Sequence, residues 1–191
     1  MKPLDKNKLI EPIAAARYLL GGIIVRTLPD GTVLSGKIVE TEAYHEVDPA
    51  SHTFGGKRVR NAAMFGPPGH AYIYFTYGMH WCFNVTAGPV GYGAGILIRA
   101  VEPVDGIEKM KQIRKMDNIL QLTNGPAKLA QALAIDKSLY GHDLTNPPLQ
   151  IFVGEPLKPS EITISTRIGI SQAAAELLRF YINDSPFISK K

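Results

Sequence analysis

The feature that most constrains the fold is the alternation of residue types in Val39-Glu40-Thr41-Glu42-Ala43-Tyr44. Successive side chains of a β-strand point to opposite faces, so Glu40, Glu42 and Tyr44 share one face of a predicted strand. Two carboxylates on a half-buried strand either pair with basic groups for structural reasons or take part in chemistry. The alternation does not separate the two glutamates, because both point the same way.

Turn signals divide the rest of the chain into strands and helices, with no internal repeat or linker. Pro29-Asp30-Gly31 predicts a hairpin between strands over residues 23–28 and 32–44, and Gly78 predicts another between residues 71–77 and 80–85. Further strands are predicted over residues 95–101, 149–153, 162–168 and 178–182, and helices over residues 12–20, 105–116 and 126–134. The pattern predicts a single α+β domain over residues 1–191.

The length and composition of the chain indicate a globular protein, but its charge does not identify a binding partner. A chain of 191 residues can bury a sizeable core, and 45% hydrophobic residues indicate a globular protein. The net charge of +4 and the pI near 9.1 suit a polyanionic partner, although a solubilising basic surface explains them better on charge alone. Neither a signal peptide nor a membrane-length apolar run is visible, so we expect a cytoplasmic protein with no membrane partner.

Several chemistries are disfavoured by the absence of their motifs. The single cysteine, Cys82, excludes a disulfide framework and a thiolate cluster, and the five histidines have no metal-ligand spacing, so we expect no metal and no cofactor. The glycines of residues 91–95 precede a strand rather than a helix, which argues against a dinucleotide site. Residues 125–128 open a predicted helix whose free amides suit a phosphate, and an ordinary capped surface helix explains them equally well.

Two further segments are candidates for binding. Residues 45–70 are predicted to form a long loop, and a long loop inside a compact domain is more often functional than idle. Tyr72, Tyr74 and Thr76 share one face of their predicted strand, and taken alone this pattern is better explained by an ordinary core strand. Tyr77 is different, because it lies beside Gly78 at a predicted hairpin tip, where a bulky aromatic side chain is stabilised little by packing in the core. An exposed aromatic at such a tip is suited to insert between stacked bases.

Read together, these motifs resemble the alkyladenine (3-methyladenine) DNA glycosylase family in a compact bacterial form. The resemblance runs in order from about residue 19 to residue 186. It is carried by residues 39–44, Ser51-His52, Arg60-Asn61, 71–74, 77–79, 82–84, 97–103 and 125–129. It implies a curved, mostly antiparallel, open barrel-like sheet with flanking helices and a protruding β-hairpin.

The resemblance also implies an activity and a role for individual residues. The activity is the removal of alkylated or deaminated purines from damaged double-stranded DNA after extrusion of the base, without strand cleavage. Glu42 is implied as the general base, and Arg99 as the group that holds the water or the adjacent backbone. The other implied sites are a base-binding pocket (Tyr44, His52, Tyr72, Tyr74 and Asn84), an intercalating hairpin tip (Tyr77 and Met79) and candidate phosphate contacts (Arg58, Arg60, Lys128 and Arg167).

Alternatives to an enzyme of this kind stay open at this point. One is a non-catalytic module that senses lesions, and Glu42 argues against it, because a binder has no use for a base beside a cation pocket. The other is an RNA- or tRNA-modifying enzyme, which predicts comparable binding to A-form RNA. We expect a monomer associated with the bacterial nucleoid, and Glu40 is expected to be structural.

Overall fold

A curved antiparallel sheet with helices packed on it is the framework of the protein in a computed structural model, which describes residues 1–76 and 78–190. The strands are β1 (Lys2–Pro3), β2 (Ile23–Thr27), β3 (Val33–His45), β4 (Ala71–Thr76), β5 (His80–Thr86), β6 (Ala94–Pro103), β7 (Leu149–Val153), β8 (Ile162–Ser165) and β9 (Arg179–Ile182). The α-helices are α1 (Pro12–Leu19), α2 (Ile107–Arg114), α3 (Ile119–Leu122) and α4 (Pro126–Ala132). Short 3₁₀ helices cover Lys6–Leu9, Val59–Phe65, Lys137–Leu139 and Pro159–Glu161.

The long strand β3 organises the sheet. The strand order is β1-β7-β2-β3-β6-β5-β4, and β8 and β9 form a branch that joins through β3. One edge of β3 pairs with β6, and the other edge pairs first with β2 and then, at residues 40–42, with β9. The register shifts twice around Glu40, and such bulges bend a strand and increase its twist. The predicted α+β class with an open, mostly antiparallel sheet is confirmed.

The two faces of β3 have different roles. Thr41 donates a hydrogen bond from its Oγ1 to the carbonyl of Ala16 in α1 at 2.9 Å. Ala43, on the same face, is completely buried in the main hydrophobic core. The opposite face carries Glu40, Glu42 and Tyr44, as the alternation predicted. Because the core packs on the face of Thr41 and Ala43, these three polar side chains can form a site on the other face.

Predicted boundaries differ from the observed ones where local backbone geometry intervenes. The helix predicted over residues 105–116 ends at Arg114, because Lys115 adopts a left-handed conformation with φ 51°. The predicted loop over residues 45–70 contains the 3₁₀ helix Val59–Phe65, whose first turn is closed by the Arg58 amide donating to Asn61 Oδ1 at 2.6 Å. The strand predicted over residues 162–168 stops at Ser165, and α3 was not predicted. In the described part of the chain, no helix is long and apolar enough to cross a membrane.

Candidate active site

A cavity of about 450 Å³ opens on the face of the sheet that carries Tyr44. Four neighbouring strands build it, and three of them contribute residues spaced by two, as strand geometry requires. These side chains are Tyr44 of β3, Leu97 and Arg99 of β6, His80, Cys82 and Asn84 of β5, and Tyr72, Tyr74 and Thr76 of β4. Its rim comes from Ala50, His52, Met64, the start of α4 and residues 168–170. A cavity of this volume is in the range that takes a small organic group such as one base.

The aromatic residues of the cavity form one connected group. The Nδ1 of His52 lies 2.9 Å from the hydroxyl of Tyr72, and its ring meets that of Tyr74 edge-on with centroids 4.5 Å apart. Tyr72 and Tyr74 stack with centroids 5.7 Å apart. The amide of Asn84 is anchored beside them, because its Nδ2 donates to the carbonyl of Tyr72 at 3.1 Å. The predicted pocket residues therefore do lie together around one cavity.

These aromatic side chains are uncharged near neutral pH. Burial raises the pKa of Tyr72 to about 12 and also raises the pKa of Tyr74. Burial, together with the nearby positive charge of Arg60, lowers the pKa of His52 from its ordinary value near 6.5. Neutral aromatic faces attract a desolvated cation by roughly 0.5–2 kcal/mol. The cavity therefore favours a flat group that is either apolar or positively charged.

Glu42 lies directly behind the wall of this cavity, with its side chain fully buried. Its Oε2 accepts hydrogen bonds from the Tyr44 hydroxyl at 2.8 Å and from Nη1 of Arg99 at 3.1 Å. Its Oε1 accepts from the amide of Ile168 at 2.8 Å. All three donors belong to residues that line the cavity, so the carboxylate is held by the same groups that shape the wall. A carboxylate fixed in this way can act as a base or stabilise a developing positive charge.

Glu40 has the same orientation but a different environment. It accepts hydrogen bonds from Arg179 Nε at 2.6 Å, from the amide of Ser189 at 2.6 Å and from the Ser189 hydroxyl at 2.9 Å. Its Oε1 is also 3.5 Å from Nε of Arg99. Arg179 and Ser189 come from β9 and the segment after it, and neither lines the cavity, whereas all three donors to Glu42 do. The structural role of Glu40 stays a prediction.

The prediction that Arg167 contacts a DNA phosphate is wrong. Its side chain is completely buried, its two terminal nitrogens bind both carboxylate oxygens of Asp48, and Nη1 also donates to the carbonyl of Ala43 at 3.1 Å. Burial by itself lowers the pKa of Arg167, but the hydrogen bonds and charge of Asp48 outweigh that effect and raise it. The guanidinium lies 4.6 Å from the centroid of the Tyr44 ring. Arg167 therefore supports the cavity from behind.

The other predicted DNA contacts lie at the surface. Arg58 and Arg60 are exposed, and Met79 is 67% exposed at the tip of the β4–β5 hairpin. Lys128, in the first turn of α4, is half-buried and donates to Asn124 Oδ1 at 2.7 Å. Tyr77 lies outside the described residues. The DNA contacts of Arg58, Arg60, Lys128 and Met79 stay predictions.

Some residues of the site were not singled out by the sequence. Cys82 and His80 line the cavity, and their spacing of two and four residues from Asn84 on β5 was the signal that places them on its face. The amide of Ile168 and the carboxylate of Asp48 had no local signal, because their partners lie more than a hundred residues away. Among the residues described, no group of three or more His, Cys, Asp or Glu is placed to hold a metal ion.

The site lies within a segment shared with known proteins. The model of the methylpurine-DNA glycosylase family matches residues 7–186. The chain belongs to this family. Curated relatives named "Putative 3-methyladenine DNA glycosylase" come from Carboxydothermus hydrogenoformans (51% identical, covering 94% of this chain and 94% of the relative) and Mesorhizobium japonicum (48% identical, covering 98% and 90%). Membership of the methylpurine-DNA glycosylase family confirms the resemblance that the motifs carried.

Proposed function

We propose that residues 1–191 act as one monofunctional DNA glycosylase domain. Its substrates are alkylated and deaminated purines in duplex DNA, of the 3-methyladenine, 7-methylguanine, hypoxanthine and ethenoadenine class. The observation that carries the proposal is the double role of Tyr44, whose ring lines the aromatic cavity while its hydroxyl donates to Glu42. Tyr44 thus connects the cavity that would bind a base to the buried carboxylate of Glu42. The protein acts as a monomer at the bacterial chromosome in base excision repair and needs no cofactor.

The base reaches the cavity by leaving the DNA stack, since the bond to be broken is inaccessible inside a duplex. It lies between Tyr44 on one side and His52 with Tyr74 on the other. Alkylation gives a purine a positive charge, which the uncharged aromatic faces favour. Asn84, anchored to the backbone of Tyr72, meets the exocyclic amine of a normal guanine and excludes it.

Hydrolysis requires a water molecule to attack the sugar C1′ atom as the bond between C1′ and the base nitrogen breaks. Glu42 accepts the proton of that water and stabilises the positive charge that develops on the sugar. The bonding electrons leave with the base. Arg99 fixes the carboxylate through the contact of 3.1 Å and holds the backbone of Ile168 through its carbonyl at 3.4 Å. No lysine is among the described residues of the cavity wall, which supports a mechanism without a Schiff base and without strand cleavage.

The hairpin tip fills the gap that the extruded base leaves. Tyr77, assisted by Met79, enters the stack from the minor groove. Arg58, Arg60 and Lys128 bind phosphates, which fix the register of the protein on the duplex without reading its sequence.

Replacing Tyr77 by alanine is expected to weaken binding to lesion-containing duplex by about 1–3 kcal/mol, the usual value for one stacked aromatic. Tyr77→Phe keeps the ring and is expected to bind like the wild type. Fluorescence of 2-aminopurine beside the lesion measures flipping, and thermal unfolding checks the fold. If Tyr77→Ala unfolds the protein, or if Tyr77→Phe loses as much binding as Tyr77→Ala, the residue is not a wedge.

The affinity for a cationic lesion is expected to fall as the pH is lowered through the pKa of His52, which lies below its ordinary value. Protonation places a second positive charge beside the base, so the loss begins below about pH 6.5 and is greater for 3-methyladenine than for neutral hypoxanthine. Fluorescence anisotropy at a series of pH values measures it for both lesions. In His52→Gln, the affinities for the two lesions are expected to depend on pH in the same way. If the affinity for 3-methyladenine still falls more than that for hypoxanthine at low pH in this variant, the role of His52 is contradicted.

A panel of duplexes, each with one alkylated, deaminated or etheno purine, tests the proposed function. The protein is expected to release the damaged base as a free purine and to leave an intact strand with an abasic site. An RNA-modifying enzyme is expected to bind A-form RNA as well as DNA, whereas a minor-groove wedge favours B-form DNA. Tight binding without release from any member of the panel supports a non-catalytic sensor.

A further inference from the structure

Residues 187–190 lie beyond the segment that the family model matches, and Phe187 and Ser189 of this segment contact β3 and β6. Phe187 and Ile188 are 9% and 8% exposed, so this segment is held by burial. Phe187 joins Val39 and Ala100 in a small hydrophobic cluster separate from the main core. The cluster holds Ser189, two residues after Phe187, beside the buried charges of β3 and β6.

Ser189 is bound to two of those charges. Its amide donates to Glu40 Oε2 at 2.6 Å, and its hydroxyl donates to Glu40 Oε1 at 2.9 Å. The same hydroxyl oxygen accepts a hydrogen bond from Nε of Arg99 at 3.3 Å. One serine therefore connects the structural glutamate to the arginine that holds Glu42.

Arg99 lies between two buried carboxylates that both attract it. Its Nη1 is 3.1 Å from Oε2 of Glu42, and its Nε is 3.5 Å from Oε1 of Glu40. Glu40 has other donors, Arg179 at 2.6 Å and the two groups of Ser189, whereas Arg99 is the only guanidinium that forms an ion pair with Glu42 among the described residues. The position of Arg99 therefore depends on whether Glu40 has enough hydrogen-bond donors from Arg179 and Ser189.

We propose that Ser189 is a positioning residue that satisfies Glu40 and thereby leaves the guanidinium of Arg99 directed at Glu42. Without the serine hydroxyl, Oε1 of the buried Glu40 keeps Arg179 as a donor but loses its second hydrogen bond, and the loss of a hydrogen bond to a buried carboxylate is costly. The nearest replacement is Nε of Arg99, which at the same time loses its own acceptor. Arg99 then moves toward Glu40 and its contact with Glu42 weakens. As a statement about catalysis, this inference rests on the proposed role of Glu42 as the base.

The consequence is a looser contact between Arg99 and Glu42. A carboxylate whose cationic partner has moved away is held less well in position for its reaction with water. The titratable and charged groups around Glu42 come from each neighbouring element: Tyr44 and Glu40 on β3, Arg99 on β6, Arg179 on β9, Tyr74 on β4, and Arg167 after β8. Ser189→Ala alters none of these groups directly, so a change in the contact with Glu42 reports the movement of Arg99.

The test uses three variants of the full chain. Ser189→Ala removes the hydroxyl, and Ser189→Thr restores one. Ser185→Ala makes the same change four residues earlier, where the hydroxyl only accepts from the amide of Phe187 at 3.3 Å. The ¹⁵N signal of Arg99 Nη1, which contacts Glu42, is followed by NMR, and a fourth variant, Arg99→Lys, serves only to assign that signal. The single-turnover rate of base release is measured on the three serine variants.

For Ser189→Ala, the Arg99 Nη1 signal is expected to move from its wild-type position, and the single-turnover rate is expected to fall by about ten- to a hundredfold. Ser189→Thr and Ser185→Ala are expected to behave like the wild type. An unchanged Nη1 signal in Ser189→Ala overturns the inference, as does an equal change in Ser185→Ala. If the signal moves as expected but the wild type releases no base, the proposed function fails and the positioning of Arg99 by Ser189 stands.

Discussion

Glu42→Gln is expected to lower the single-turnover rate of base release by about 10²–10⁴-fold, the usual contribution of a general base. The amide has nearly the shape of the carboxylate, but it cannot accept a proton from water. Its NH₂ group also faces one of the donors that now bind Glu42, and it leaves Arg99 with only the longer ion pair of 3.5 Å to Glu40. Some loss of stability therefore accompanies the loss of rate, and the assay is run well below the unfolding temperature of the variant.

Glu40→Gln is the matched control, because it makes the same change on the same face of the same strand at an equally buried position. It disrupts the contacts with Arg179 and Ser189, so it is expected to lower the free energy of unfolding. Its rate is expected to stay within about tenfold of the wild type, since Arg99 keeps its contact with Glu42. Base release by Glu42→Gln at the rate of the wild type contradicts the mechanism, and so does an equal loss of rate in both variants.

Asp48→Asn is expected to lower the free energy of unfolding by about 3–5 kcal/mol, the usual result of removing one partner from a buried ion pair. The change leaves the cation of Arg167 buried between Tyr44 and the backbone of Ala43. Urea denaturation measures the loss. Because Arg167 lies against the ring of Tyr44, we also expect weaker binding of lesion-containing DNA.

The ion pair of Lys6 with Asp143 is the control for this prediction. Its side chains are 33% and 32% exposed, and Lys6→Met is expected to reduce stability by less than about 1 kcal/mol. Replacing the buried pair together, by Asp48→Leu with Arg167→Met, is expected to recover a large part of the stability lost in Asp48→Asn. A loss in Asp48→Asn no larger than that in Lys6→Met contradicts a structural role for the buried pair.

Features that depend on local periodicity could be predicted from the sequence. The alternation over residues 39–44 placed Glu42 and Tyr44 on one face, and the structure shows the Tyr44 hydroxyl bound to that glutamate. The same spacing on β4 placed Tyr72 and Tyr74 together in the cavity wall. Strand geometry repeats every two residues whatever the rest of the chain does, so such predictions need no tertiary information.

Features that depend on distant partners could not be predicted from these patterns. Glu40 and Glu42 differ because Arg179 and Ser189 bind one, 139 and 149 residues away, while Ile168 binds the other, 126 residues away. Arg167 is a prediction that failed for the same reason. Its charge is visible in the sequence and suggested a phosphate contact, but its burial depends on Asp48, which is 119 residues away.

We propose that this cavity and its buried carboxylate hydrolyse the bond between a damaged purine and its sugar. A single-turnover experiment on one duplex with a single hypoxanthine or 3-methyladenine tests this, with binding and release of free base recorded together. We expect the bound lesion to be converted to free purine and an uncut abasic strand. A wild-type protein that binds this duplex tightly and releases no base contradicts it.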